Sequence, residues 1–133
     1  MNHIWRWAIV CGFLAMNISG PSFADVRLDK SALETLIKGN TVEGRNIKWK
    51  TTYRMYFDPT GRFWRIDSRY NKEKGEWHVE KNGTLRMSGR KVNYRKVKQR
   101  SGGGYDVYGD RGTVIWTIDK VTPGNPYHLG PNF

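Results

Sequence analysis

Strict alternation of apolar and polar residues, interrupted by a turn roughly every ten residues, is the feature that most constrains this chain. Trp49, Thr51, Tyr53, Met55 and Phe57 alternate with Lys48, Lys50, Thr52, Arg54 and Tyr56. Side chains on a strand point to opposite faces in turn, so this stretch has one face for a core and one for water. Asp58-Pro59-Thr60-Gly61 then forms a turn, with Pro59 pre-set for its second position. Arg62 to Tyr70 resumes the pattern, with Trp64 and Ile66 expected inside and Arg65, Asp67 and Arg69 outside. Trp77 and Val79 lead through Asn82-Gly83, a strong hairpin signal, to Leu85 and Met87. Val92 and Tyr94 share a face that Val97 does not, which predicts a bulge near Arg95-Lys96. Val114, Trp116 and Ile118 make the last clear strand, and the segment from Thr122 to Phe133, with its Pro and Gly residues, is expected to run over the surface. The pattern predicts an all-β protein, an antiparallel meander of about seven to eight short strands closed as a small barrel or folded as a sandwich.

One short amino-terminal helix precedes the strands. Ser31-Ala32-Leu33-Glu34 has capping-box spacing, Leu33, Leu36 and Ile37 make an apolar stripe, and Gly39-Asn40 stops the helix. About two turns are stable only when docked, and one end of the β domain is the expected dock. Trp49, Trp64, Trp77 and Trp116, with Tyr53, Phe57 and Tyr94, supply enough ring volume to fill a small barrel.

The first residues read differently. Arg6 is followed by an apolar run from Ala8 to Ile18, then Ser22-Phe23-Ala24 ahead of Asp25, the three-part layout of a cleavable export signal. Such a run is too short to cross a hydrocarbon core, which takes about 20 residues. The expected organisation is therefore a signal peptide over 1–24 and one all-β domain over 25–133, periplasmic or secreted. Cys11, the only cysteine, lies in the signal, so the mature domain folds without disulfides. The signal holds one cation and no acid, which leaves a net charge of +10 from the whole chain's +11. That balance favours an anionic partner: an anionic polymer such as nucleic acid or an acidic glycan, a membrane surface of lipid head groups, or an acidic protein.

Several segments carry a resemblance. The helix running into Gly39-Asn40-Thr41-Val42, then Tyr56-Phe57-Asp58-Pro59-Thr60-Gly61, Gly75-Glu76-Trp77-His78-Val79, Gly83-Thr84-Leu85 and Pro123-Gly124-Asn125-Pro126-Tyr127-His128-Leu129 together resemble a family of small exported bacterial β proteins of unknown function. The resemblance spans nearly the whole mature chain and implies export and a barrel-like fold, but no activity. It also implies a cysteine pair near the strands around Leu85 and Tyr94, where this chain has Arg86 and Asn93. Gly75-Glu76-Trp77 is similar to the Gly-x-Trp of lipocalins, but two strands precede it here where the lipocalin motif opens the first strand.

For function, the basic strands stand out. Lys48, Lys50 and Arg54 share one face, Arg65 and Arg69 another, and Lys91, Arg95, Lys96, Lys98 and Arg100 crowd one strand. Tyr56, Phe63, Tyr70 and Tyr108 are expected among them, and cations interleaved with aromatic rings suit an anionic partner. The anion-binding set is thus Lys48, Lys50, Arg54, Arg65, Arg69, Lys91, Arg95 and Lys98. Glu76, His78 and Glu80 share a strand face, but same-face neighbours sit about 7 Å apart and cannot close round one ion, so no metal is expected. No cofactor is implied either. His78 and His128, the only mature histidines, lie in no nucleophile arrangement, and Gly102-Gly103-Gly104 lacks the Lys and Ser/Thr of a phosphate loop. The sequence therefore predicts a non-catalytic binding module with a basic face. Its alternative is a small carrier of apolar ligands with a lipocalin-like barrel cavity, and a metal-dependent or hydrolytic enzyme is the remote third.

Overall fold

A computed structural model describes residues 26–133, and the expected export signal lies outside them. The elements run β1 (Val26–Arg27), α1 (Lys30–Ile37), β2 (Asn40–Asn46), β3 (Thr51–Phe57), β4 (Arg62–Asp67), β5 (Lys72–Val79), β6 (Leu85–Ser88), β7 (Val92–Gln99), β8 (Tyr105–Tyr108), β9 (Val114–Ile118) and β10 (Lys120–Pro123). Strands β2 to β9 pair in sequence order, each antiparallel to the next, and β9 returns to β2 through Asn46 and Trp116. The result is a closed eight-stranded barrel of up-and-down strands, with β1 added to β7 and β10 to β2.

Closure depends on a missing side chain. Gly44 faces inward opposite Tyr53. A Cβ there would land on the Thr117 carbonyl, far inside van der Waals contact. That carbonyl instead accepts the Tyr53 hydroxyl at 2.6 Å. Burial, reinforced by the charge of Asp119, pushes the Tyr53 phenol well above its ordinary pKa and keeps it a donor. Gly75 meets the Ser88 backbone in the same way. Bare glycines are what sharply bent barrel strands need where another backbone presses close.

Directly opposed residues share a face, so the register assigns inside and outside. Met55 faces Arg65, Phe57 faces Phe63, and Arg65 faces Glu73. Strand β4 therefore points Phe63 and Arg65 inward, the reverse of the phase expected from Trp64 and Ile66. Phe63, expected to be exposed, is 1% exposed. Trp64 is also buried, but on the outer surface. It stacks on Tyr56 at 6.3 Å between ring centroids and lies with Asn125 and Leu129 beneath the carboxyl-terminal segment. Two adjacent aromatic residues left the phase ambiguous, and a distant segment resolved it.

Other expectations are corrected locally. The helix is capped by Asp29, whose carboxylate accepts from the Ala32 amide at 2.8 Å, not by Ser31. Leu33 and Ile37 dock into the end of the barrel as expected. Strand β7 has no register shift: Val92 and Tyr94 simply face outward, Asn93, Arg95 and Val97 inward. The bulge lies on the β8–β9 pairing, beside Val107 and Tyr108, and places both Ile115 and Trp116 against the core. Trp49 and Tyr94 are exposed, at 58% and 43%, and take no part in filling the barrel.

Candidate functional site at the barrel mouth

In an up-and-down barrel alternate connections lie at the same end. Residues 58–61, 80–84 and 100–104 connect strands at the end where α1 docks. Residues 47–50, 68–71, 89–91 and 109–113 connect them at the opposite end, the mouth. The mouth connections carry Lys48, Lys50, Arg69, Arg90, Lys91 and Arg111 against one carboxylate, Asp110. Those at the helix end carry two cations, Lys81 and Arg100, and two carboxylates, Asp58 and Glu80. Charge is thus polarised along the barrel axis. None of the six mouth cations enters an ion pair among the described residues, whereas Arg45, Arg54, Arg65 and Arg100 all do.

Aromatic side chains stand beside these cations. Lys48 lies 5.1 Å from the Trp49 ring centroid. Trp49 is held at the tip by its amide, which donates to the Asn46 side chain at 3.0 Å. Tyr70 is 82% exposed, on a turn anchored by Asp67. Partial burial raises the Asp67 carboxyl, but bonds from the Asn71 amide and side chain and the Arg69 amide outweigh it and hold the pKa below the ordinary value. The turn is therefore fixed wherever that carboxylate is ionised.

Inside the mouth lies a cavity of about 220 Å³. Met55, Phe63 and Met87 form its floor. On its wall Arg65 pairs with Glu73 at 2.7 Å, while the buried Arg65 Nε has no acceptor among the described residues. Arg95 lines the same wall. Its Nη1 donates to the Tyr94 carbonyl at 3.2 Å, and no carboxylate among the described residues pairs with it. Desolvation lowers the Arg95 pKa below its ordinary value, with the field of Asp110 opposing. Trp49 and Trp116 stand at the lip, Trp116 held edge-on to Tyr53 at 5.3 Å.

Of the eight residues expected to bind anions, six come together at the mouth: Lys48, Lys50, Arg69 and Lys91 on the rim, Arg65 and Arg95 on the inner wall. Arg54 and Lys98 do not. Arg54 lies outside, paired with Glu43 at 3.0 Å and 3.8 Å from the Tyr127 ring centroid. Lys98 is on the outer face of β7, against Tyr108. The expected shared faces are corrected too. Lys48 and Lys50 precede β3 in a loop, Lys91 and Arg100 flank β7, and Arg95 points opposite to Lys96 and Lys98. Sequence reading missed Arg90, Arg111 and Glu73, although counting turns by alternate ends would have found the two arginines.

On the outer face of β5, His78 opposes Arg86, and Glu76 lies between Arg62 and Ser88. His128 lies in the carboxyl-terminal segment. Among the described residues no group of three or more His, Cys, Asp or Glu is placed to hold a metal ion. Comparison with protein-family models, curated proteins and solved structures finds no match to this chain.

Proposed function

We propose that the protein is an exported, non-catalytic binding module that docks mouth-first on an anionic membrane surface. One observation carries the reading: six cations that form no ion pair among the described residues ring one end of the barrel, with Trp49 and Tyr70 exposed among them. A ring of short loops fits a flat layer of head groups better than a polymer strand, which would need a continuous groove. Each cation brought near an anionic surface contributes about 1 kcal/mol. Indole and phenol rings favour the boundary between head groups and chains.

Co-sedimentation with phosphatidylglycerol and phosphatidylcholine vesicles tests this. Binding is expected to the anionic vesicles alone and to weaken as added salt shortens the Debye length to ~10 Å at about 0.1 M. Lys48→Glu with Arg69→Glu removes most of the binding, whereas Lys38→Glu with Lys81→Glu, the same charge change at the helix end, preserves it. Equal loss in both double variants contradicts mouth-first docking. Retention on heparin or an oligonucleotide without vesicle binding replaces the membrane with a polymer. Recovery of a chain beginning at Asp25 from periplasm or medium supports export, and retention of Met1 refutes it.

A further inference from the structure

The cavity inside the mouth is a separate matter from the rim, since its chemistry calls for a small molecule. Arg65 is neutralised by Glu73, whereas Arg95 on the wall and Lys48 at the lip pair with no carboxylate among the described residues. A guanidinium that is half-buried and, among the described residues, bonded only to one backbone carbonyl keeps most of its donors unused. A neutral apolar guest would cover the Arg95 donors without satisfying them. A carboxylate, with two coplanar oxygens, matches the Arg95 fork.

The remaining walls define the rest of the guest. Met55, Phe63 and Met87 offer sulfur and a ring face as a floor, to which flat aromatic groups adapt well. Trp116, fixed against Tyr53, and Trp49 at the lip can cover such a ring. At about 220 Å³ the space falls below the ~300–1,000 Å³ of pockets for drug-sized ligands, so it takes one or two rings and excludes a long acyl chain. We infer that the barrel mouth binds a small aromatic carboxylate, its carboxylate on Arg95 and its ring between the methionine floor and the two indoles.

Titration of the folded chain with 1-naphthoate, followed by tryptophan fluorescence and calorimetry, tests the inference. Saturable one-to-one binding is expected, with 1-naphthamide at least tenfold weaker and hexadecanoate unable to compete. Arg95→Met lowers naphthoate affinity at least tenfold while leaving the circular dichroism spectrum unchanged. Arg95→Lys, which keeps the charge but loses the fork, gives an intermediate affinity and serves should the methionine variant misfold. Equal binding of the amide, wild-type affinity in both Arg95 variants, or displacement by hexadecanoate overturns the inference. None of these results depends on vesicle binding, so failure of the cavity site and failure of the docking reading are told apart.

Discussion

Tyr70 occupies a turn position that other hairpins of the barrel give to glycine. Hairpin turns at Asp58–Gly61, Glu80–Gly83 and Gly109–Gly112 share one hydrogen-bond pattern, with the fourth amide bonded to the first carbonyl and glycine at positive φ in that fourth position. The turn from Asp67 repeats it with Tyr70, at φ 63°. A residue with a Cβ pays roughly 1–2 kcal/mol in that region, and glycine's extra chain entropy returns about half of it. Tyr70→Gly should therefore stabilise the fold by about 0.5–1 kcal/mol, a rise of ~2–6 °C in Tm by calorimetry. It should also weaken binding to anionic vesicles. A variant that neither gains stability nor loses binding contradicts the idea that strain is retained there for contact. The turn itself is legible in the sequence as Asp67 to Asn71, but the misplaced tyrosine is visible only against its glycine counterparts.

Among the elements, β2 and β9 decide whether the sheet closes. The Gly44 position allows no side chain because the Thr117 carbonyl occupies that space to receive the Tyr53 hydroxyl. Gly44→Ala should cost about 3 kcal/mol, the upper end for overpacking, read as a lower denaturation midpoint at an unchanged slope. A loss below about 0.5 kcal/mol would show that β9 can withdraw without penalty. Alternation alone identified most strands and the inward faces of β3, β5 and β6, where apolar residues sit two apart between polar ones. It failed on β4, where Phe63 and Trp64 are adjacent and the carboxyl-terminal segment covers the second. It failed again on β7, where the inner wall near the mouth is polar. Asn93 and Arg95 line a cavity, and a lined cavity removes the hydrophobic signal that marks an inner face.

Across the whole molecule, two halves of the barrel have different tasks. The helix end is filled by Leu33, Ile37, Phe57 and Leu85 and its connections carry balanced charge. The mouth end is polar inside, cationic at its rim and tipped with exposed rings. The sequence shows the excess of basic residues and the choice of barrel or sandwich, but not their concentration at one end, which depends on closure and on which turns share an end. Cations counted by strand faces appear scattered, and counted by barrel ends they converge. Trp49, at the rim and 58% exposed, reports most directly on whether that end meets a membrane. Its emission should shift to the blue on phosphatidylglycerol vesicles, with brominated lipid quenching it, and both effects should vanish in Trp49→Phe. An unchanged spectrum while the protein co-sediments, or an equal shift in Trp49→Phe, would mean that another face makes the contact.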